Sequence, residues 1–166
     1  MLNISGYTPL QSATGLFWIN ITMLISYFIW GYILPKISDY GINSIKLIKL
    51  GLPISYFSLF LIIYFGNNAG AFLFTIYIMT SIVISLTQPA IALNFSKNLA
   101  GKSLTSFNVF LFSGTFFVQW GIGLIIDLCN NKGFDILSSY RISFSLFLIL
   151  CVLSYTFFIY LNKNEN

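Results

Sequence analysis

Histidine is absent from this sequence, and carboxylates number only four. That inventory removes the imidazole metal ligands and general bases, and leaves too few acids to build an acid/base pair in a cleft. An enzyme is therefore not expected, and neither is a metal or any other cofactor. Cys129 and Cys151 stand far apart, and two lone thiols read as small buried apolar residues rather than as a disulfide or metal pair. Charged residues make up 7% of the chain, against roughly 25% in a soluble domain.

What is present instead is hydrocarbon. Apolar residues reach 57% and aromatic residues 19%, with a mean hydropathy of +0.86. The fold class expected is an all-α polytopic membrane protein, a single membrane domain over residues 1–166 with five transmembrane helices. The crossings are expected at 16–34, 48–65, 71–93, 104–126 and 142–161, each long enough at 1.5 Å per residue for a hydrocarbon core of roughly 30 Å. The stretch from Met1 to Ala13 lacks the basic region and short apolar core of a signal peptide, so the chain is expected to begin in a loop. Pro35 is expected to break the first helix. Gly66 to Gly70 is uncharged and short, which predicts a tight hairpin between the second and third crossings. Lys97 and Lys102 are expected in a short loop, and Asp127 to Arg141 in the longest one.

The net charge of +4 does not point to nucleic acid, because the basic residues stand singly at the ends of apolar runs. They read as topology signals. Lys36, Lys46, Lys49, Lys97, Lys102 and Lys163 fall on one side and Lys132 and Arg141 on the other. The lysine-rich side is expected to be cytoplasmic, with the N-terminus outside and the C-terminus inside a cell membrane, inner or plasma.

Few polar residues interrupt the crossings. Asn20 is the only amide of the first. On the third, Ser81, Ser85 and Gln88 share one face, and Pro89 cannot donate to the Ser85 carbonyl, which is expected to free an acceptor beside Gln88. On the fourth, Asn108, Thr115 and Gln119 fall within about 40° on a helical wheel. Amides turned toward acyl chains would go unsatisfied, so this stripe is expected to face protein or a wet cavity. For each amide, contact with a solute and a plain interhelical hydrogen bond both remain open. Gly114 and Gly121, seven apart, are expected to allow close helix contact.

Two segments carry a resemblance. GYILPKISDYG, Gly31 to Gly41, resembles the loop signature G-x-x-x-[D/P]-[R/K]-x-G-[R/K] of the major facilitator superfamily, through Gly31, Pro35, Lys36 and Gly41, without its final basic residue. AGKSLTSFNVFLFSGTFFVQWGIGLIID, Ala100 to Asp127, is similar to the loop and helix at the tenth to eleventh crossing of bacterial members, through Gly101, Lys102, Ser106, Asn108, Gly114, Gln119, Trp120, Gly123 and Asp127. The resemblance implies helices eight to twelve of the carboxyl-terminal half of such a transporter, apparently truncated. It further implies a small-solute secondary transporter that needs a complementary amino-terminal half, because members rock two halves about a midplane site. Asn20, Gln88, Asn108 and Gln119 would then be substrate-path candidates. Gly31, Pro89, Gly114, Gly121 and Gly123 would be packing or gating positions, and Lys36 and Lys102 basic residues of cytoplasmic loops. The partners implied are the lipid bilayer, an unidentified solute and the other half.

A reading from a different class is a small structural or assembly subunit that binds a larger membrane complex through its glycine and serine faces. Topology is directly testable. A protease-sensitive tag fused after Asn166 is expected to resist cleavage in intact cells and to be cut in inverted vesicles, and cleavage from the outside would overturn the orientation.

Overall fold

The structure, a computed structural model, describes residues 6–162; Lys163, counted above on the cytoplasmic side, lies outside the described residues. The first helix, α1 (Pro9–Asp39), starts at a reciprocal cap. Thr8 Oγ1 accepts from the Gln11 N–H at 3.2 Å, and Gln11 Oε1 accepts from the Thr8 N–H at 2.9 Å, with Pro9 opening the first turn. The loop expected up to Ala13 is therefore shorter. Nor does Pro35 break the helix. Its missing N–H costs one bond, to the Gly31 carbonyl, a single turn from the helix end, and α1 runs on to Asp39. Lys36, expected in a loop, is thus helical, its Nζ 2.6 Å from Tyr32 Oη and 4.0 Å from the centre of the Tyr32 ring.

Asn43 caps α2 (Ser44–Phe65) by accepting the Lys46 N–H on Oδ1 at 2.9 Å. The helix ends at Gly66, whose φ of +55° lies where other residues are strained. A short 3₁₀ turn over 66–68 leads into α3 (Ala71–Ser81), a 3₁₀ stretch over 82–86 and α4 (Thr87–Asn94), which together form one interrupted span. The chain ends in α5 (Lys97–Asn131) and α6 (Ile136–Leu161). The described residues are 90% helical with no strand, and five helical stretches are long and apolar enough to cross a membrane.

Each expected crossing falls inside one of these stretches, but the loops are shorter than expected. Lys97 and Lys102 lie in the first turns of α5 rather than in a loop, α5 continues past Asp127 to Asn131, and Arg141 is already within α6. The physical reason is that hydropathy marks where the lipid ends, whereas a helix persists as long as its i→i−4 bonds can be made.

In lipid, helices associate through packing and hydrogen bonds rather than through burial from water. The hub is α2, whose most extensive contacts are with α3 and which also meets α6, α4 and the 3₁₀ stretch 82–86. Ile48 and Leu52 of α2 bury against Val83 and Leu86, with Trp30, Leu34, Tyr56, Tyr155 and Phe158 around them. Gly51 sets that approach. A Cβ there would stand 2.8 Å from Val83 Cγ2. Every buried polar side chain among the described residues is a serine, the residue type whose small size lets helix backbones approach.

Antiparallel α2 and α6 also close one another's ends. Lys49 Nζ donates to the Asn162 carbonyl at the end of α6 at 2.8 Å, and Tyr155 Oη donates to the Lys49 carbonyl at 2.7 Å. At the opposite end Arg141 Nη2 donates to the Tyr64 carbonyl in the last turn of α2 at 3.1 Å. Each helix C-terminus, the negative end of its dipole, thereby receives a cation from its neighbour. Gly66 leaves the room for the guanidinium, since a Cβ would stand 2.5 Å from Arg141 Nη2.

Two substitutions separate glycines that make close contacts from those that do not. In thermal unfolding of the full chain in detergent, Gly51→Leu is expected to destabilise by about 1–3 kcal/mol through overpacking. Gly121→Ala, where a Cβ meets no atom within 4 Å, is expected to stay within about 0.5 kcal/mol of the parent.

Candidate functional site

Polar groups inside an apolar span must be satisfied by the protein itself. The hydroxyls do this locally. Thr22, Ser26, Thr75, Thr80, Ser81, Thr115 and Ser143 each donate to a carbonyl one turn earlier, at 2.7–2.9 Å. Asn20 behaves the same way, its Nδ2 donating to the Leu16 carbonyl at 2.7 Å. Its short amide is absorbed by its own helix.

The longer or differently placed amides are not absorbed. Gln88, Asn108 and Gln119 have no side-chain hydrogen bond among the described residues. Gln88 sits at the interruption of the third span, exposed, on the first turn of α4. Proline at 89 withholds a donor from the preceding turn, and the backbone there tightens to 3₁₀ over 82–86. The Ser85 carbonyl is not left open as expected. The Thr87 N–H points to both the Ile84 and Ser85 carbonyls, so the tighter turn absorbs the acceptor.

Across from this break lies α1. Tyr27, Trp30, Gly31, Leu34, Ser85 and Leu86 join Gln88 and Pro89 around a crevice of about 380 Å³. The structure thus brings together four residues singled out in the sequence, Gly31, Ser85, Gln88 and Pro89. A Cβ on Gly31 would meet nothing within 4 Å; this glycine widens the crevice and does not close a helix contact. Asn20, Asn108 and Gln119 do not line it.

The stripe on α5 is a separate surface. The helix is 35 residues long, about 52 Å at 1.5 Å per residue, and buries none of its side chains. It meets α6 along Phe117, Val118, Ile122 and Ile125, facing Ser143, Leu146, Phe147 and Leu150 across a crevice of about 280 Å³. Asn108 is half-buried, and Thr115 and Gln119 are exposed. The close contact expected at Gly114, Gly121 and Gly123 is not made within this chain, for a Cβ on any of the three would meet nothing within 4 Å. The reason is that α5 stands off the bundle and touches only α4 and α6 extensively.

The sequence marks Gly66 as a turn residue and Arg141 as a topology charge, but not the contact between them nor the close approach at Gly51. The signal for the Arg141 contact was present: a lone arginine beside an apolar run, opposite a glycine that ends another helix. Outside the spans, Asp135 caps α6 by accepting the Ser138 N–H at 3.1 Å, and bonding from the Ser138 side chain and then its backbone holds this carboxyl below its usual range. No group of three or more His, Cys, Asp or Glu side chains comes together among the described residues. Cys129 and Cys151 are free thiols, half-buried rather than buried. Set against family models, curated proteins and solved structures, the chain matches none of them.

Chemically, the arrangement offers uncharged donors and acceptors on open helix faces. Because the Asn20 side chain bonds only its own helix, Asn20→Leu is expected to shift the thermal stability of the full chain by less than about 1 kcal/mol in detergent. A larger loss would mean that the amide reaches a neighbouring helix.

Proposed function

We propose that this chain forms part of a small-solute secondary transporter of the major facilitator kind, acting together with a complementary half. The observation that carries the reading is the set of three amides, Gln88, Asn108 and Gln119, that stand on open faces of apolar helices without a partner among the described residues. In hydrocarbon an unmet amide costs several kcal/mol. Such a face is stable in a bilayer only against protein or a wet cavity. In this reading the stripe on α5 forms one wall of the seam between two halves, and the break beside Gln88 supplies a second polar point at the end of α1.

Amides donate and accept without charge, so they suit a polar solute held by hydrogen bonds. No carboxylate, lysine or arginine lies away from the ends of the expected crossings. Ion coupling, if the transporter uses it, resides in the complementary half. In a wet seam each amide exchanges its bonds between water and solute at little net cost, which is what a site that must both load and release requires.

The exposed phenylalanines of α5, with Phe110, Phe112, Phe116 and Phe117 more than half exposed, are equally what an assembly subunit would present. Labelling separates the two. Single cysteines at positions 108, 115 and 119, in a background without Cys129 and Cys151, are expected to react with a membrane-impermeant maleimide about tenfold faster than a cysteine at Phe110, on the opposite side of the helix. A cysteine at Lys132, in the loop, serves as the positive control. If the stripe positions react no faster than position 110, there is no wet seam and the transporter reading fails; co-purification of a stable membrane complex in that case favours the assembly subunit.

A further inference from the structure

The last turn of α1, the start of α2 and the end of α4 enclose a crevice of about 300 Å³ whose walls include Leu34, Pro35, Ser38, Ser44, Leu93 and Asn94. It adjoins the Gln88 crevice through Leu34 but is a different place, at the level where the first expected crossing ends. Its polar wall has an unusual member. Ser44 is 9% exposed and its hydroxyl has no hydrogen bond among the described residues. The buried serines 26, 55, 58, 139 and 143 all donate to a carbonyl of their own helix. Ser44 cannot. It is the first residue of α2, so no earlier turn lies beneath it to accept.

The backbone at the same point is also open. The cap on Asn43 Oδ1 serves the Lys46 N–H, and the Leu47 N–H returns to the Asn43 carbonyl. The Ser44 and Ile45 N–H groups have no backbone acceptor among the described residues. They form the positive end of a 22-residue helix. No carboxylate lines the crevice; of the lysines in the surrounding segment, Lys36 is taken by Tyr32 and Lys49 by the Asn162 carbonyl, and Lys46, next to Ile45 of the crevice wall, has no side-chain partner among the described residues. Below the polar wall, Leu34, Pro35, Ala90 and Leu93 make an apolar one.

We propose that this crevice binds an anionic phospholipid, with the headgroup phosphate against the Ser44 hydroxyl and the first N–H groups of α2, and the glycerol end against Leu34, Pro35 and Leu93. A phosphate diester supplies the acceptors that the hydroxyl and the backbone lack. Lys46 beside a wall without carboxylates favours a headgroup with net negative charge over a zwitterionic one. The lipid would bridge α1, α2 and α4 at one end of the bundle. This inference stands apart from the transporter reading and holds for either class of function.

Native mass spectrometry of the full chain, titrated in detergent with dioleoylphosphatidylglycerol, dioleoylphosphatidylcholine or dioleoylglycerol, tests it. Phosphatidylglycerol is expected to be retained about tenfold better than phosphatidylcholine, and dioleoylglycerol, which has no phosphate, not above background. Ser44→Ala is expected to weaken phosphatidylglycerol retention about tenfold, and Ser44→Leu, which fills the crevice, to abolish it. Asn94→Leu, at an exposed lining position, replaces Ser44→Leu should the latter lose its helical circular dichroism, and is expected to give the same loss. Equal retention of the two phospholipids, or unchanged retention in the folded variants, overturns the proposal. So does displacement of the lipid by millimolar inorganic phosphate, which would assign the site to a soluble anion.

Discussion

A hydrocarbon interior offers no hydrogen bonds, and the rest of this structure answers to that one constraint. Backbone groups inside helices bond one another, many hydroxyls fold back onto the preceding turn, and the C-terminal ends of α2 and α6 are met by each other. The pairing of α2 with α6 is the clearest case. Lys49 and Arg141 place cations on each other's C-terminal carbonyls, and Tyr155 adds a hydroxyl to the Lys49 carbonyl. Neither cation is deep in a span. Both are at helix ends, where long side chains can reach a carbonyl while the charge stays near the headgroups.

The same constraint explains why the third span breaks where it does. Proline at 89 removes a donor, and the chain recovers by tightening to 3₁₀ so that the Thr87 N–H covers two carbonyls. The tightening turns Val83 and Leu86 toward Ile48 and Leu52, with Gly51 giving the clearance. A local backbone defect and a close interhelical contact thus fall in the same place. The break also leaves Gln88 outside the packed core, beside Gly31.

Against this packed part of the molecule, α5 is the exception. Its hydrogen-bonding stripe is expected from the sequence to face protein or a wet cavity, yet the packing is organised by α2, and α5 buries none of its side chains. Asn108, Thr115 and Gln119 share a face because helical periodicity places them there. What that face meets is a property of neighbours, and within this chain it meets none that bond the two amides. Gly114 and Gly123 follow the same logic. Small residues in a row permit close approach, but they do not by themselves bring a second helix near.

The sequence alone determined the number of spans and their rough limits, because about 20 consecutive apolar residues have no other stable environment than lipid. It also determined that Pro89 withholds a backbone donor inside the third span. It did not determine where helices end, since polar end turns stay helical outside the hydrocarbon, as Lys36, Lys102 and Arg141 do. Only the tertiary structure decided which glycines matter, Gly51 and Gly66 rather than Gly114 and Gly121. Only it decided that Ser44 is the buried serine left without a carbonyl. Periodicity assigns a residue to a face and composition assigns it to a medium, but which backbone comes within a few ångströms of that face depends on how all five spans pack at once.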